Sequence, residues 1–284
     1  MGGSIKVLEV DDKRVTLLLE GYSVAFANAI RRLVLSDVPT MAVDFVYFYD
    51  NNTGIHDEII AHRLGLVVLS SEEALAKYKP PEECRGAHEG DRECYVELIL
   101  EDEVPEDAET GRYVKAGQLK SSDPDVAPVY PETVILYLAP SQRIHAVAYA
   151  RLGRGSEHGK WSPATLSVLR YTPVVHYDGG SATPECLRCL EAYPEIRELL
   201  ERGERGSIEA PLLRRTGGLL YCAEEACRGA LEVEYDSSKL VLEVESTGAL
   251  RPERIVFEAA RRLEERAREL LEALGGEGEE EGGG

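Results

Sequence analysis

At 284 residues the chain exceeds the usual size of one domain, so two or three modules are expected, each large enough to bury a core. Hydrophobic content of 43% and charged content of 30% describe a soluble globular protein with no apolar run long enough to span a membrane. The net charge of −20 argues against a general grip on nucleic acid, which relies on lysine and arginine displacing counterions from phosphates. Residues 1–20 lack a basic start followed by an apolar core, so no secretory signal is expected and the cytoplasm is the expected location. Asparagine at 28, 51 and 52 only, and glutamine at 118 and 142 only, beside abundant Glu and Arg, is a composition that suits a thermophile.

Ile5 to Val10 and Val15 to Glu20 are β-rich runs joined by Asp11-Asp12-Lys13, an opening hairpin. A helix over 23–35 follows, with Ser23 as its N-cap and Phe26, Ile30 and Leu33 on one apolar face. Arg31 and Arg32 leave that helix about 100° apart. Two solvated arginines and two arginines aimed at a partner fit that spacing equally well. Pro39 breaks into a strand from Ala42 to Tyr49, and Asp50 to Gly54 is a turn of residues that tolerate left-handed backbone. His62-Arg63-Leu64-Gly65 reads as a short helix closed by a Gly C-cap, before a strand from Leu66 to Leu69. A lone His62 is usually structural, and no partner marks it as a catalytic base.

The segment from 70 to 94 is polar. Strand Tyr95 to Leu100 leads into an acidic loop, Glu101 to Gly111, which reads as solvated, and strand Thr133 to Leu138 follows a proline-rich breaker. Arg143 to Pro163 holds Arg151, Arg154 and Lys160, a possible local basic patch. It also holds Gly153 and Gly155 for tight backbone turns and Trp161 as a packing anchor. A phosphate loop is a poor rival there, because the third glycine and a following apolar helix are missing. Strand patterns return at Leu231 to Tyr235 and Leu240 to Glu245. The last helix starts at Pro252 and stops at Gly275-Gly276, with Val256, Ala260, Leu263, Ala267, Leu270 and Leu274 forming an apolar seam flanked by Glu and Arg. That seam serves either the chain's own sheet or a partner helix. The acidic Gly-rich tail, 275–284, is expected to be disordered.

Cys186-x-x-Cys189 and Cys222-x4-Cys227 bound a segment poor in strands. Two such pairs suit a four-thiolate zinc or iron–sulfur site, or else disulfides or free thiols. Cys84 and Cys94 have only His88 nearby, which favours a loop-closing disulfide over zinc.

The block Asn28-Ala29-Ile30-Arg31-Arg32, Ala42, Val46, Asn51, Thr53, Asp57-Glu58 and Ala61-His62-Arg63-Leu64-Gly65-Leu66 resembles the signature of the archaeal RNA polymerase D-subunit family. That family includes eukaryotic third-subunit relatives and is related to bacterial alpha. A second block, Ala148 to Gly155 with His158 to Pro163, is similar to the same family; Val68 stands where its pattern usually has proline.

The resemblance implies an α+β fold in three parts. These are a split dimerisation domain (1–41, 150–172 and 228–284), an inserted β-rich domain (42–149), and a cysteine-bearing, degenerate ferredoxin-like insert (173–227). It implies a non-catalytic assembly subunit of a nucleotidyltransferase complex that pairs with the small subunit L, then recruits the small subunits N and P and the large catalytic B subunit. Interface roles then fall to Asn28, Arg31, Arg32, His62, Arg63, Gly65, Trp161, Val256, Leu263 and Leu270. Some members carry an iron–sulfur insert, so Cys186, Cys189, Cys222 and Cys227 would ligate a 3Fe-4S or 4Fe-4S cluster, with zinc or no cofactor as alternatives. The ferredoxin run of three close cysteines is absent here, as is the proline after the last one. The rival readings are a ferredoxin-like redox protein and a nucleic-acid-binding protein.

Overall fold

The structure, a computed structural model, describes residues 3–214 and 216–276. Strands β1 (Ser4–Val10) and β2 (Arg14–Glu20) form a hairpin whose turn is held by Asp11, its carboxylate accepting the Lys13 and Arg14 N–H groups at 2.8 and 2.9 Å. Helix α1 (Val24–Ser36) follows, then β3 (Thr40–Asn51), α2 (Asp57–Gly65) and the single turn α3 (Ala74–Lys77). Next come β4 (Val96–Glu103), β5 (Arg112–Lys115), β6 (Lys120–Ser121), β7 (Val134–Leu138), β8 (Arg143–Gly153) and β9 (Ala164–Asp178). The remainder is α4 (Pro184–Cys189), α5 (Pro194–Glu201), β10 (Arg205–Glu209), α6 (Thr216–Glu225), β11 (Leu231–Ser246) and α7 (Pro252–Gly276).

The strands make a mixed α/β chain with three sheets. One has the order β1-β2-β11-β9-β10, one β3-β8-β4-β6, and β5 pairs with β7 alone. The chain divides into two compact units: residues 1–10, 15–28 and 168–243, and residues 11–14, 29–167 and 244–284. Their boundaries fall inside β2, α1, β9 and β11.

In the second unit the core gathers under one face of the four-stranded sheet. Alternation along β4 (Val96, Leu98, Leu100) and β8 (Ala148, Ala150, Leu152) sends one set of side chains inward onto Ile60, Leu64, Ile135 and Leu138. In the first unit a separate core packs Val175, Leu190, Ile196, Leu200, Leu219 and Leu231 around the buried cysteines.

Several elements differ from the sequence reading. Leu66 to Leu69 is not a strand. Gly65 is the last helical residue, and Leu66 stays near helical backbone with its N–H on the His62 and Arg63 carbonyls. Only Leu69 makes a β-bridge, to Pro128. Among the described residues Ser141 alone, apart from glycines, has positive φ, so the turn after Asp50 needs no left-handed residue. Side-chain hydrogen bonds from Asn51 organise that turn instead. Its oxygen accepts from the Thr53 N–H and hydroxyl at 3.0 and 2.7 Å, and its amide donates to the Ile55 carbonyl and Asp57 at 2.9 and 2.6 Å.

The acidic run Glu101-Asp102-Glu103 is not a solvated loop but the end of β4. Asp102 is buried there and bonded to Arg112 and Gln118. The two strand runs at 231 and 240 are one strand, β11. Strand β9 runs on to Asp178, and β10 pairs with it. Gly275 and Gly276 close α7, and the rest of the expected acidic tail lies outside the described residues.

Candidate functional site

Ser23 caps α1, its hydroxyl accepting the Phe26 N–H at 3.2 Å. The buried face of that helix is Ala27, Ile30, Leu33 and Val34; Phe26, expected among them, is instead 38% exposed and stacked on Tyr22 at 5.0 Å. Asn28 and Arg31 are half-buried and Arg32 is exposed. The Arg31 carbonyl accepts the Ser167 hydroxyl at 3.1 Å, which ties α1 to the start of β9.

The end of α1 is a junction of charged groups. Asp37 is buried and receives the Ser36 hydroxyl and the Arg266 guanidinium of α7. Its carbonyl takes Arg154 at 3.0 Å, and Arg154 also pairs with Glu82. Gly155 lies against this end so closely that a Cβ on it would stand 1.9 Å from the Leu35 carbonyl oxygen. Helices α1 and α7 and the second sequence block therefore meet at one point.

Trp161 anchors the neighbouring junction. Two cations lie over its ring, Arg151 at 4.5 Å and Lys160 at 4.2 Å from the centroid. Its N–H donates to the Arg151 carbonyl at 3.2 Å, and its carbonyl accepts the Thr40 hydroxyl at 2.9 Å. A Cβ on Gly153 would stand 2.4 Å from the ring, so only glycine leaves room for it. Arg151 pairs with Asp44 at 2.8 Å and Glu157 at 3.0 Å, while Lys160 donates to the Val43 carbonyl at 2.7 Å. Burial pulls the Lys160 ammonium below its ordinary pKa, against the raising effect of Asp44. The basic stretch around 151–160 is thus engaged internally rather than presented to phosphates.

His62 is exposed and lines a groove of about 340 Å³ between α2 and β3, together with Gly65 and Lys160. Arg63 does not face that groove's chemistry: its guanidinium donates to the Ile135 carbonyl at 2.7 Å, stitching α2 to β7. Gly65 is half-buried, and a Cβ there would meet only ordinary contacts.

Helix α7 carries two faces. Ile255, Glu258 and Ala259 are buried, with Glu258 held by Arg254 at 2.8 Å and Arg261 at 2.9 Å. The seam read from the sequence is turned roughly 90° away at 3.6 residues per turn. Val256 and Leu263 are half-buried, while Leu270 and Leu274 are 60% and 63% exposed. From Arg266 to Gly275 every residue is exposed. Phe257 (59%) and Leu271 (68%) extend this stripe and were missed as seam positions. Their spacing of three from Ala260 and from Leu274 was the available signal. Asp37 and Arg266 were also missed, because nothing local in the sequence pairs residues 229 apart.

All six cysteines are bonded: Cys84 to Cys94, Cys186 to Cys227, and Cys189 to Cys222. In this state the four insert sulfurs offer no thiolate to iron or zinc, so the donor set fits a double crosslink rather than a cluster. Among the described residues no group of three or more His, Cys, Asp or Glu is placed to hold a metal ion, and no helix is long and apolar enough to cross a membrane.

A mixed α/β chain with an exposed apolar stripe on α7 and a charged junction between α1 and α7 has the character of a pairing module. A family model described as the RNA polymerase Rpb3/Rpb11 dimerisation domain matches residues 16–267. A DNA-directed RNA polymerase subunit Rpo3 of Aeropyrum pernix is 60% identical over 278 residues, covering 98% of this chain and 97% of that protein. The subunit of the same name from Methanothermobacter thermautotrophicus is 32% identical over 94% of this chain and 97% of its own length. The Pyrococcus horikoshii one is 44% identical over 61% of each. The chain belongs to this family of archaeal third subunits of DNA-directed RNA polymerase.

Proposed function

We propose that this chain is a non-catalytic assembly subunit of DNA-directed RNA polymerase, which pairs through α1 and α7 with the small subunit L and then recruits the small subunits N and P and the large B subunit. The observation that carries the reading is the α7 stripe. Each fully buried leucine is worth roughly 1.5–3 kcal/mol, so a stripe holding Phe257, Leu270, Leu271 and Leu274 in water is strongly favoured to find a cover. The pairing module is built from residues 1–41, 150–172 and 228–284. The β-rich domain, 42–149, is inserted into it, and the segment 173–227 is a crosslinked accessory. The separate cores under the four-stranded sheet and around the insert cysteines support that division. The two disulfides support an insert held without a cofactor, with cluster and zinc as the alternatives that metal analysis distinguishes.

The test is co-expression with subunit L followed by gel filtration. A soluble 1:1 pair is expected, with Leu270→Glu/Leu274→Glu abolishing it. A monodisperse monomer that ignores subunit L, or an unaffected double variant, refutes the reading.

A further inference from the structure

The four-stranded sheet has a second face that the core does not use. Strand register places Phe45, Tyr149 and Glu97 in one row across β3, β8 and β4, then Tyr47, Val147 and Ile99 in the next. A third row joins Asp50, His145 and Glu101, with Tyr49 at the bulge beside it. The alternate residues, Val46, Ala148 and Leu98, point into the core, so these rows point the other way.

One end of the face is covered. The loop closed by Cys84–Cys94 packs on Tyr95, Tyr149 and Phe45, with ring centroids 4.9–6.4 Å apart among those three. The other end is open: Tyr47 is 45% and Tyr49 65% exposed, with Val147, Ile99 and His145 half-buried beside them. Tyr47 packs edge-on to Tyr149 at 5.8 Å, and Tyr49 rests on His145 at 5.1 Å, so the rings are braced. Pre-ordered aromatics of this kind suit a contact surface, because little side-chain freedom is lost on binding.

Its charge selects the occupant. Glu97 and Glu101 stand exposed along β4, and Glu89 from the loop is near enough to Tyr149 to act on its hydroxyl. The cations along the face are Lys120, beside Ile99, Arg143, which is engaged by Asp50, and Arg151, which is engaged by Asp44 and Glu157, while Arg92 lies with Glu89 and Glu97 at the covered end. Phosphates are repelled by this rim, whereas arginine and lysine side chains gain both from the carboxylates and from the faces of exposed tyrosine rings. We infer that the open face centred on Tyr47 and Tyr49 docks a segment of another subunit of the same complex, one that presents arginine or lysine side chains to the rings and to Glu97 and Glu101.

The inference rests on the assembly reading only in naming where the partner resides. The experiment is to place a photo-crosslinking p-benzoylphenylalanine at Tyr47, pair the full chain with subunit L, reconstitute the polymerase, irradiate, and map the crosslinked peptide. The expected product is one peptide of another subunit with arginine or lysine adjoining the crosslink. Separately, Glu97→Lys/Glu101→Lys should lower incorporation of the chain–L pair into polymerase about tenfold at low salt, and Glu97→Gln/Glu101→Gln by less.

Crosslinks to DNA or RNA, to a second copy of this chain, to an acidic segment, or to nothing overturn the proposal. So does normal incorporation of the charge-reversed chain. A wild-type chain that fails to pair with subunit L is instead a failure of the assembly reading, seen before any irradiation.

Discussion

Arg266, on the exposed second half of α7, is hydrogen-bonded to the buried carboxylate of Asp37 at the end of α1. This contact sets the direction in which α7 leaves its buried turn at Ile255 and Ala259, and so the direction in which the leucine stripe faces. Removing Asp37 leaves Arg266 free to reach water, because it is half exposed, and takes one of two acceptors from the Ser36 hydroxyl, which keeps the Arg32 carbonyl at 3.0 Å. Asp37→Ala is expected to cost about 1–2 kcal/mol in urea unfolding, less than a fully buried pair would. Arg266→Ala should cost less, since Asp37 keeps its Ser36 bond. Both should weaken pairing with subunit L, by gel filtration or calorimetry, more than a surface control such as Arg268→Ala does.

Gly153 and Gly155 are expected to be intolerant of alanine for different reasons. At 155 the obstruction is backbone, the Leu35 carbonyl; at 153 it is the Trp161 ring, which is held by two cations and by its own N–H donating to the Arg151 carbonyl. Overpacking of this order costs about 1–3 kcal/mol. Gly153→Ala should also shift the fluorescence of Trp161, the single tryptophan. Gly159→Ala is the control. A Cβ there meets nothing within 4 Å, so stability should change by no more than about 0.5 kcal/mol.

The pH dependence of stability should carry a contribution from Asp102. Burial alone would raise this carboxyl's pKa, but hydrogen bonds from Arg112 and Gln118 outweigh it and hold the group below its ordinary 3.8. A carboxyl depressed in the folded state binds its proton more readily when unfolded. Its stabilisation is therefore fully present above the ordinary value and is lost as pH falls through the depressed one. Asp102→Asn should be less stable than the parent at neutral pH, and the gap should narrow as pH drops below about 4. Chemical melts from pH 7 down to pH 3 read this out; a gap that stays constant would mean the Arg112 and Gln118 contacts contribute nothing specific to the charged form.

The periodic parts of the chain were legible before the structure. The hairpin, α1, β3, β4, β7 and α7 follow from alternation and from the 3.6-residue repeat, which local sequence carries, whereas β8 was not read as a strand. Phe26 misled because its spacing from Ile30 fits the buried face, yet the ring sits at the helix start where Tyr22 stacks on it. Leu66 to Leu69 misled because a short apolar run looks like a strand when it is only a coil that buries Val67 and Leu69 against the core beside α2. The charged junction was illegible for another reason. Arg154, Asp37 and Arg266 each look like solvated surface residues, and only the tertiary fold brings them together. Cysteine connectivity is likewise non-local: spacing gives the pairs Cys186-x-x-Cys189 and Cys222-x4-Cys227, but bonds run between the pairs rather than within them.

That connectivity yields a prediction for the insert. The bonds span 41 and 33 residues and clamp α4 to the region of α6, closing a segment whose core is a handful of leucines, isoleucine and the cysteines themselves. Crosslinks over loops of this length are worth roughly 2–5 kcal/mol to a small module. Thiol titration of the denatured, unreduced chain should find no free thiol, and the protein as isolated should be colourless with no stoichiometric iron or zinc. Cys186→Ser/Cys189→Ser, which cuts both bonds, should make segment 179–230 sensitive to protease and lower its melting temperature. Pairing with subunit L through α7 should persist, because α7 and the insert belong to different compact units. Visible absorbance with bound iron would instead assign these cysteines to a cluster, and zinc in a colourless protein to a structural metal. If the double serine variant resists protease as the parent does, the leucines around Leu190 and Leu219 hold the insert by packing alone.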